Sequence, residues 1–404
     1  MTHPAEPVEP EPVVPGPGGT DPTERPGAEL EESPATEQTD ELAPYDALVL
    51  VSFGGPESED EVMPFLRRVT RGRGIPDERL AEVGEHYYAF GGRSPINDQN
   101  RALMAALRAE LDRRGIGTPL LWANRFSEPF IADTFREASE QGMSRLLAIT
   151  TSAYSSYSSC RAYREDLAEA VDTLAGEGRT VQVDKIRQYY NHPGFAATNS
   201  RLVTDAVRGV LERTGEVPTI VFVTHSIPEA MDDTSGPGDS EGNLYSAQHQ
   251  ALAAAIADEV AATIDRKVPA DLAYCSRSGP PSQPWLEPDV NDHLRDLAGE
   301  GVRHVVLAPI GFVSDHMEVV FDLDTEARET AEEVGIDLVR VPTVGIDPQF
   351  VSGLVDLALE RAAQARGEDV VTPAWPVPEP MPAVCAPGCC PNLRVAKPAC
   401  CGAD

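Results

Sequence analysis

Short apolar runs rich in β-branched residues alternate along most of the chain with longer stretches whose apolar positions recur every three or four residues. The runs fall at 47–53, 120–123, 145–151, 181–186, 219–224, 272–275, 304–309 and 338–341. The longer stretches include 99–113, 199–213, 247–264 and 318–334. Near-continuous apolar strands separated by amphipathic helices predict parallel sheet with crossover helices on both faces. Eight strands are more than one small sheet holds, so the reading is an α/β chain with two doubly wound, Rossmann-like parallel-sheet lobes and a cleft between them, dividing near residue 216. No clean internal repeat is visible. Each lobe nevertheless opens with a strand that runs into a tight, turn-forming sequence, Ser52-Phe53-Gly54-Gly55-Pro56 and Thr224-His225-Ser226-Ile227-Pro228. Open α/β sheets bind ligands beyond the carboxyl ends of their strands, so both turns are expected to face the cleft.

Composition changes this picture at the two ends. Residues 1–45 hold ten prolines, eleven acidic residues and a single arginine, Arg25, with no apolar period, which predicts a disordered acidic tail. Gly367 to Pro382 is again proline-rich and leads into a cysteine cluster. The expected division is therefore a tail over 1–45, a first lobe over 46–215, a second over 216–366, and a Pro/Cys-rich tail over 367–404. The net charge of -33 repels a phosphate backbone and argues against nucleic-acid binding. No apolar run is long enough to span a bilayer and no secretory leader is evident, so a cytoplasmic protein without stable membrane insertion is expected. In a reducing compartment clustered thiols favour metal ligation over disulfides, and five of the seven cysteines lie in the last twenty residues.

The candidate chemistry sits at strand ends. His225 closes an apolar strand just before a turn-forcing proline, which aims it at the cleft rather than into the sheet. After 304–309 the chain passes through Gly311 into Glu318, and Glu318, Asp322 and Glu326 recur at i, i+4, i+8. A solvated acidic face is the ordinary account of such spacing. Here Val319, Val320, Phe321 and Leu323 surround the acids, and like charges one turn apart repel unless a cation or a proton relieves them. A carboxylate row ending at a His–Glu pair suits a hard divalent metal.

Six segments together resemble the ferrochelatase family, and the likeness covers nearly all of 45–366. They are Val51 to Pro56, Gly91 to Ile96, Tyr154 to Cys160, Thr224 to Pro228, Ser276 to Pro281 with Pro284-Trp285-Leu286, and Gly311 to Glu318. The resemblance implies a chelatase-type fold and insertion of Fe²⁺, the substrate metal, into a porphyrin in haem biosynthesis. The family's catalytic His and Glu fall on His225 and Glu318. Metalation removes two pyrrole protons while delivering a weakly held ion. His225 can accept a proton or contact the metal, and Glu318, Asp322 and Glu326 can supply a metal or proton path. By the same likeness Ser94 and Tyr163 meet the porphyrin, with Arg71, His86, Tyr87 and Arg93 as further contacts; Phe53 stands where some relatives place an iron-ligating tyrosine.

Four thiolates of the C-terminal cluster suit a [2Fe–2S] centre or zinc, and the spacing matches no standard zinc finger. The resemblance favours a [2Fe–2S] cluster on Cys160, Cys385, Cys389 and Cys390, with Cys400 in reserve; Cys275 is expected in the core. The polar lip over 87–100 and the overall pattern resemble actinobacterial enzymes acting on coproporphyrin III, a water-soluble tetracarboxylate. Protoporphyrin IX is the alternative substrate. A sirohydrochlorin chelatase would place a second histidine at Glu318, and a non-catalytic haem or iron–sulfur carrier would need neither His225 nor the acids. A monomer in transient contact with neighbouring haem-pathway enzymes is the expected assembly.

Overall fold

The computed structural model describes residues 41–238, 242–279 and 282–402. Its strands are β1 (Ala47–Ser52), β2 (Leu120–Asn124), β3 (Arg145–Thr150), β4 (Gln182–Lys185), β5 (Thr219–His225), β6 (Ala270–Cys275), β7 (His304–Ala308) and β8 (Asp337–Arg340). They form two all-parallel sheets ordered β2-β1-β3-β4 and β6-β5-β7-β8. All eight coincide with the apolar runs to within two residues at each end, the usual uncertainty of a strand boundary. Ranked within its own sheet, the strand order is the same in both. The chain thus builds one topology twice without repeating its sequence.

The central strand β1 is buried at every position, because helices cover both faces of the sheet. One core lies between the sheets, where Leu48, Leu50, Leu147 and Ile149 meet Ile220, Phe222 and Val306 through Leu107, Val203, Leu252 and Leu354. Those last four come from helices Ile96–Arg113, Pro193–Thr214, Leu244–Ile264 and Pro348–Ala365. The outer faces carry separate cores. Val49, Val51 and Ala148 pack on Phe135 and Leu167 in the first half, and Val221, Val223 and Leu307 pack on Leu294 and Leu323 in the second. Helices Glu59–Val69 and Asp77–Tyr88 enclose a fourth, small cluster of Val62, Phe65, Leu66 and Leu80, against which Phe53 and Tyr87 lean.

Two expectations need adjustment. The segment expected to be a tail as far as residue 45 lies outside the described residues up to position 40, but Leu42 and Tyr45 are buried and Arg366 holds the Glu41 carbonyl at 2.9 Å. Two apolar side chains reaching the core are enough to order residues that carry no local pattern. The helix expected over 318–334 is broken into Met317–Phe321, a π turn at Asp322–Glu326, and Ala327–Val334. A second π turn, Tyr157–Arg161, precedes helix Ala162–Gly176. Such turns insert one extra residue into the ladder and gather at functional sites. Among the described residues no helix is long and apolar enough to cross a membrane.

Candidate active site

β5 ends on His225 while its neighbour β6 ends on Cys275, one residue before Ser276, so the two strand ends open side by side. The His225 ring donates from Nδ1 to the Ser226 carbonyl, since a carbonyl oxygen can only accept. That bond fixes the tautomer and leaves the Nε2 lone pair directed outward. Nε2 lies 3.6 Å from Glu318 Oε2, and His316 Nδ1 lies 3.9 Å from the same oxygen. Burial pushes the His316 imidazole below its usual range, against the opposing pull of Glu318.

Beneath His225 runs a polar network that the sequence motifs leave unmarked. Tyr245 donates to the His225 carbonyl at 2.8 Å and stands 2.8 Å from Thr224 Oγ1. Thr224 Oγ1 is 2.9 Å from His249 Nε2, and His249 Nδ1 is 2.7 Å from the Tyr245 carbonyl. The carbonyl requires Nδ1 to carry the proton, so Thr224 donates to Nε2. Burial holds His249 neutral, its pKa lowered to about 3, and Tyr154 stacks on it at 3.6 Å. Tyr245 and His249 sit at i, i+4 in an alanine-rich helix; two polar rings on one face of that stretch are the trace that sequence reading missed.

The loop after β7 is pinned from both halves. Gly311 passes so close to Thr224 that an added Cβ would lie 2.1 Å from Oγ1, which excludes every other residue. Gln99 accepts from the Asp315 amide at 2.8 Å and donates to its carbonyl at 2.7 Å, while Arg340 grips the Asp315 carboxylate at 2.8 Å. A cavity of about 590 Å³ lies behind this loop, lined by Gln99, Leu103, Val313, Asp315 and Val344. His225 and Glu318 do not line it.

Glu318 is exposed, whereas Asp322 is largely covered. Burial raises the Asp322 carboxyl to about 7; the Ser276 hydroxyl opposes this by donating to it, and the charges of Glu318 and Glu326 add to it. Ser276 takes φ 62°, a left-handed conformation uncommon outside glycine, to make that bond. Burial also raises Glu326, with His86 opposing. Tyr87 is pushed up by burial and then by the charges of Glu318 and Asp322, and His86 stacks on Phe321 with ring centres 3.9 Å apart. The structure thus brings His225, Glu318, Asp322, His86 and Tyr87 together, although His86 and Tyr87 stand more than 130 residues before His225 in the chain. Among the described residues no three His, Cys, Asp or Glu side chains close on one ion, so the acids form an open row rather than a cage.

The other expected contacts are placed differently. Ser94 is buried, its hydroxyl accepting from the Ile96 amide at 3.4 Å. Tyr163 is buried under the Arg125 guanidinium, 4.6 Å from its ring centre, and Arg125 also lies over Phe53 and Phe126. Arg93 is paired with Asp98 at 2.6 Å and Arg71 is exposed. Arg125 is a buried cation at this end of the first sheet that sequence reading missed, and Asp166 is its partner.

Away from this site four sulfurs meet. Cys160 and Cys389 both make a side-chain hydrogen-bond contact with Cys385, and Cys389 donates to Cys390 at 3.8 Å. These bonds pull Cys385 and Cys390 below the usual thiol range and push Cys160 and Cys389 above it. Cys400 and Cys401 form a separate pair, 3.3 Å apart and resting on the Arg164 and Val183 carbonyls. Cys275 is buried at the end of β6, as expected.

Comparison with known proteins gives one family. The profile described as Ferrochelatase matches residues 45–362. The coproporphyrin III ferrochelatase of Leifsonia xyli subsp. xyli is 51% identical over 381 residues, which are 91% of this chain and 96% of that protein. That of Streptomyces griseus subsp. griseus is 51% identical over 372 residues, 90% and 97% of the two chains. The ferrochelatase of Rhodopirellula baltica is 44% identical over 354 residues, 87% and 94%.

Proposed function

The chain belongs to the ferrochelatase family, enzymes that insert metal into porphyrin, and from that premise we propose that it inserts Fe²⁺ into coproporphyrin III to give the iron complex. The observation that carries the chemistry is His225 Nε2 facing Glu318 at 3.6 Å, with Asp322 and Glu326 behind. The names of the relatives at 51% identity support the choice of porphyrin.

Metalation exchanges two pyrrole protons for one ion. His225, with Nδ1 committed to Ser226, offers Nε2 as the base that takes a ring proton. Glu318 is an exposed oxygen ligand that can take Fe²⁺ from water and release it, since a single carboxylate holds the ion weakly. Asp322, raised to about 7, exchanges its proton near neutral pH and carries protons away from the His–Glu pair. Arg71, His86, Tyr87, Arg93, Ser94 and Tyr163 are proposed to meet the porphyrin. Because Ser94 and Tyr163 are buried as the chain stands, their hydroxyls act by shaping the pocket wall. Phe53, packed at 4.7 Å from Phe126, offers the product iron no oxygen.

Cys160, Cys385, Cys389 and Cys390 fit a [2Fe–2S] cluster, because four thiols in one chain of contacts would supply its thiolate ligands. Bound there, the group supplies a one-electron centre. The cysteines themselves tie the C-terminal segment to the start of helix Ala162–Gly176.

The test is anaerobic metalation of coproporphyrin III and protoporphyrin IX, side by side, with Fe²⁺ and the purified protein, read by loss of free-porphyrin absorbance. Turnover of coproporphyrin III well above protoporphyrin IX is expected. The reverse preference overturns the substrate, and no turnover of either overturns the activity.

A further inference from the structure

Lys185 ends β4 with its side chain turned inward, and it is 3% exposed. Its ammonium donates to the Ile186 carbonyl and to Gln188 Oε1, both at 2.7 Å. Both acceptors are neutral. Among the described residues no carboxylate pairs with Lys185, because its neighbour Asp184 is taken by Arg361 at 2.9 Å and by Tyr45 at 2.6 Å. A lysine is almost never fully buried without a counter-charge, since removing an ammonium from water costs several kcal/mol.

Sulfur lies beside the same strand. Cys401 rests on the Val183 carbonyl, two residues before Lys185 on the same strand, at 3.3 Å. The next residue, Gly402, bridges to Cys385, and Cys385 touches Cys160 and Cys389. The Lys185 charge favours the thiolate at Cys160, Cys385 and Cys401, and the buried Arg164 acts in the same sense on Cys385 and Cys390. Neutral thiols cannot balance an ammonium, whereas an iron–sulfur centre with four thiolate ligands is anionic.

We propose that Lys185 is a built-in counter-charge of an anionic iron–sulfur centre on Cys160, Cys385, Cys389 and Cys390, and that it raises the readiness of that centre to accept an electron. The inference rests on the cluster reading given above. A fixed positive charge in a dry interior favours the more negative, reduced state. Gln188, which positions the ammonium, also donates to the Ser152 carbonyl at 3.2 Å and to the Tyr154 carbonyl, so the same side chain touches the segment that follows β3. Lys185 is a positioning and tuning residue, not a ligand.

The test uses the full chain reconstituted anaerobically with ferrous iron and sulfide, as wild type, Lys185→Met and Lys185→Arg. The midpoint potential is read by titration with dithionite through redox dyes, following visible absorbance and the electron-spin signal of the one-electron-reduced state; dithionite supplies the electron. Lys185→Met is expected to make reduction at least about tenfold less favourable, a fall of about 59 mV for one electron, while Lys185→Arg stays near wild type. An unchanged potential in Lys185→Met overturns the proposal. If Lys185→Met takes up no cluster, Lys185→Arg decides: retention there supports a charge requirement, and loss in both variants shows a requirement of shape and overturns it. Failure of the wild type to take up any cluster overturns the cluster reading itself, a result distinct from an unchanged potential.

Discussion

The base role proposed for His225 rests on its backbone neighbour, not a carboxylate, holding Nδ1. The Ser226 carbonyl orients the ring without adding charge, and among the described residues the acid paired with Nε2 is the exposed Glu318. His225→Ala is therefore expected to reduce coproporphyrin metalation by about 10²–10⁴. Porphyrin binding, followed by the shift of its absorption band on titration, should persist. Asp322 has a different signature. Its folded pKa of about 7 lies above the ordinary 3.8, so between those values the folded state binds more protons than the unfolded one and stability falls as pH rises. Asp322→Asn removes that loss. The variant should melt at least about 2 °C higher than wild type at pH 8, with the difference vanishing near pH 4. Its metalation rate should also lose the rise through pH 7 that ionisation of Asp322 gives the wild type. The identity of both residues was legible in the sequence, through a strand-ending turn and an i, i+4 row. The raised pKa was not, because it comes from burial of Asp322 by the packed fold, against the opposing Ser276 hydroxyl; nor was the tautomer, which depends on how the His225 ring meets the Ser226 carbonyl in the folded turn.

At the scale of elements, the acids of the proposed metal and proton path ride on a helix that changes character midway. A π turn at Asp322–Glu326 lies between two short α-helical pieces, where the periodicity alone predicted one unbroken helix. Hydrophobic spacing cannot distinguish the two locally, since one extra residue shifts the apolar face by only part of a turn; contacts such as His86 on Phe321 and Ser276 on Asp322 select it. The loop before it depends on the close approach of Gly311 to Thr224. Gly311→Ala should destabilise the fold by about 1–3 kcal/mol, the range for overpacking a tight contact. Thermal melting checks it, and Gly335→Ala is an unsuitable control because Gly335 has positive φ. Gly209 is the suitable one: it has open space around it, and Gly209→Ala should leave the melting temperature unchanged or raised.

For the whole molecule the dominant quantity is charge. A chain of net charge -33 must attract a porphyrin with four carboxylates and a divalent cation to the same cleft. The field of the protein opposes the first and favours the second, and salt screens both. Raising ionic strength from about 0.02 to about 0.2 M should lower KM for coproporphyrin III and raise KM for Fe²⁺, as initial-rate kinetics would show.

The sequence by itself determined that the chain is α/β with eight parallel strands, where each strand lies, that His225 stands at a strand end and that Glu318 opens the helix after β7, because burial on both faces and the turn after each strand are written locally as apolar runs and Gly/Pro punctuation. The tertiary structure alone decided that the two sheets share one strand order, that the lip residues His86 and Tyr87 lie against the acidic row, and that Cys160 meets Cys385 across more than two hundred residues. It also decided that Lys185 is buried on two neutral oxygens with no carboxylate partner among the described residues. These are facts of proximity between segments distant in the chain. Local pattern carries no record of them, since the free energy that brings such segments together belongs to the packed core and not to either segment alone.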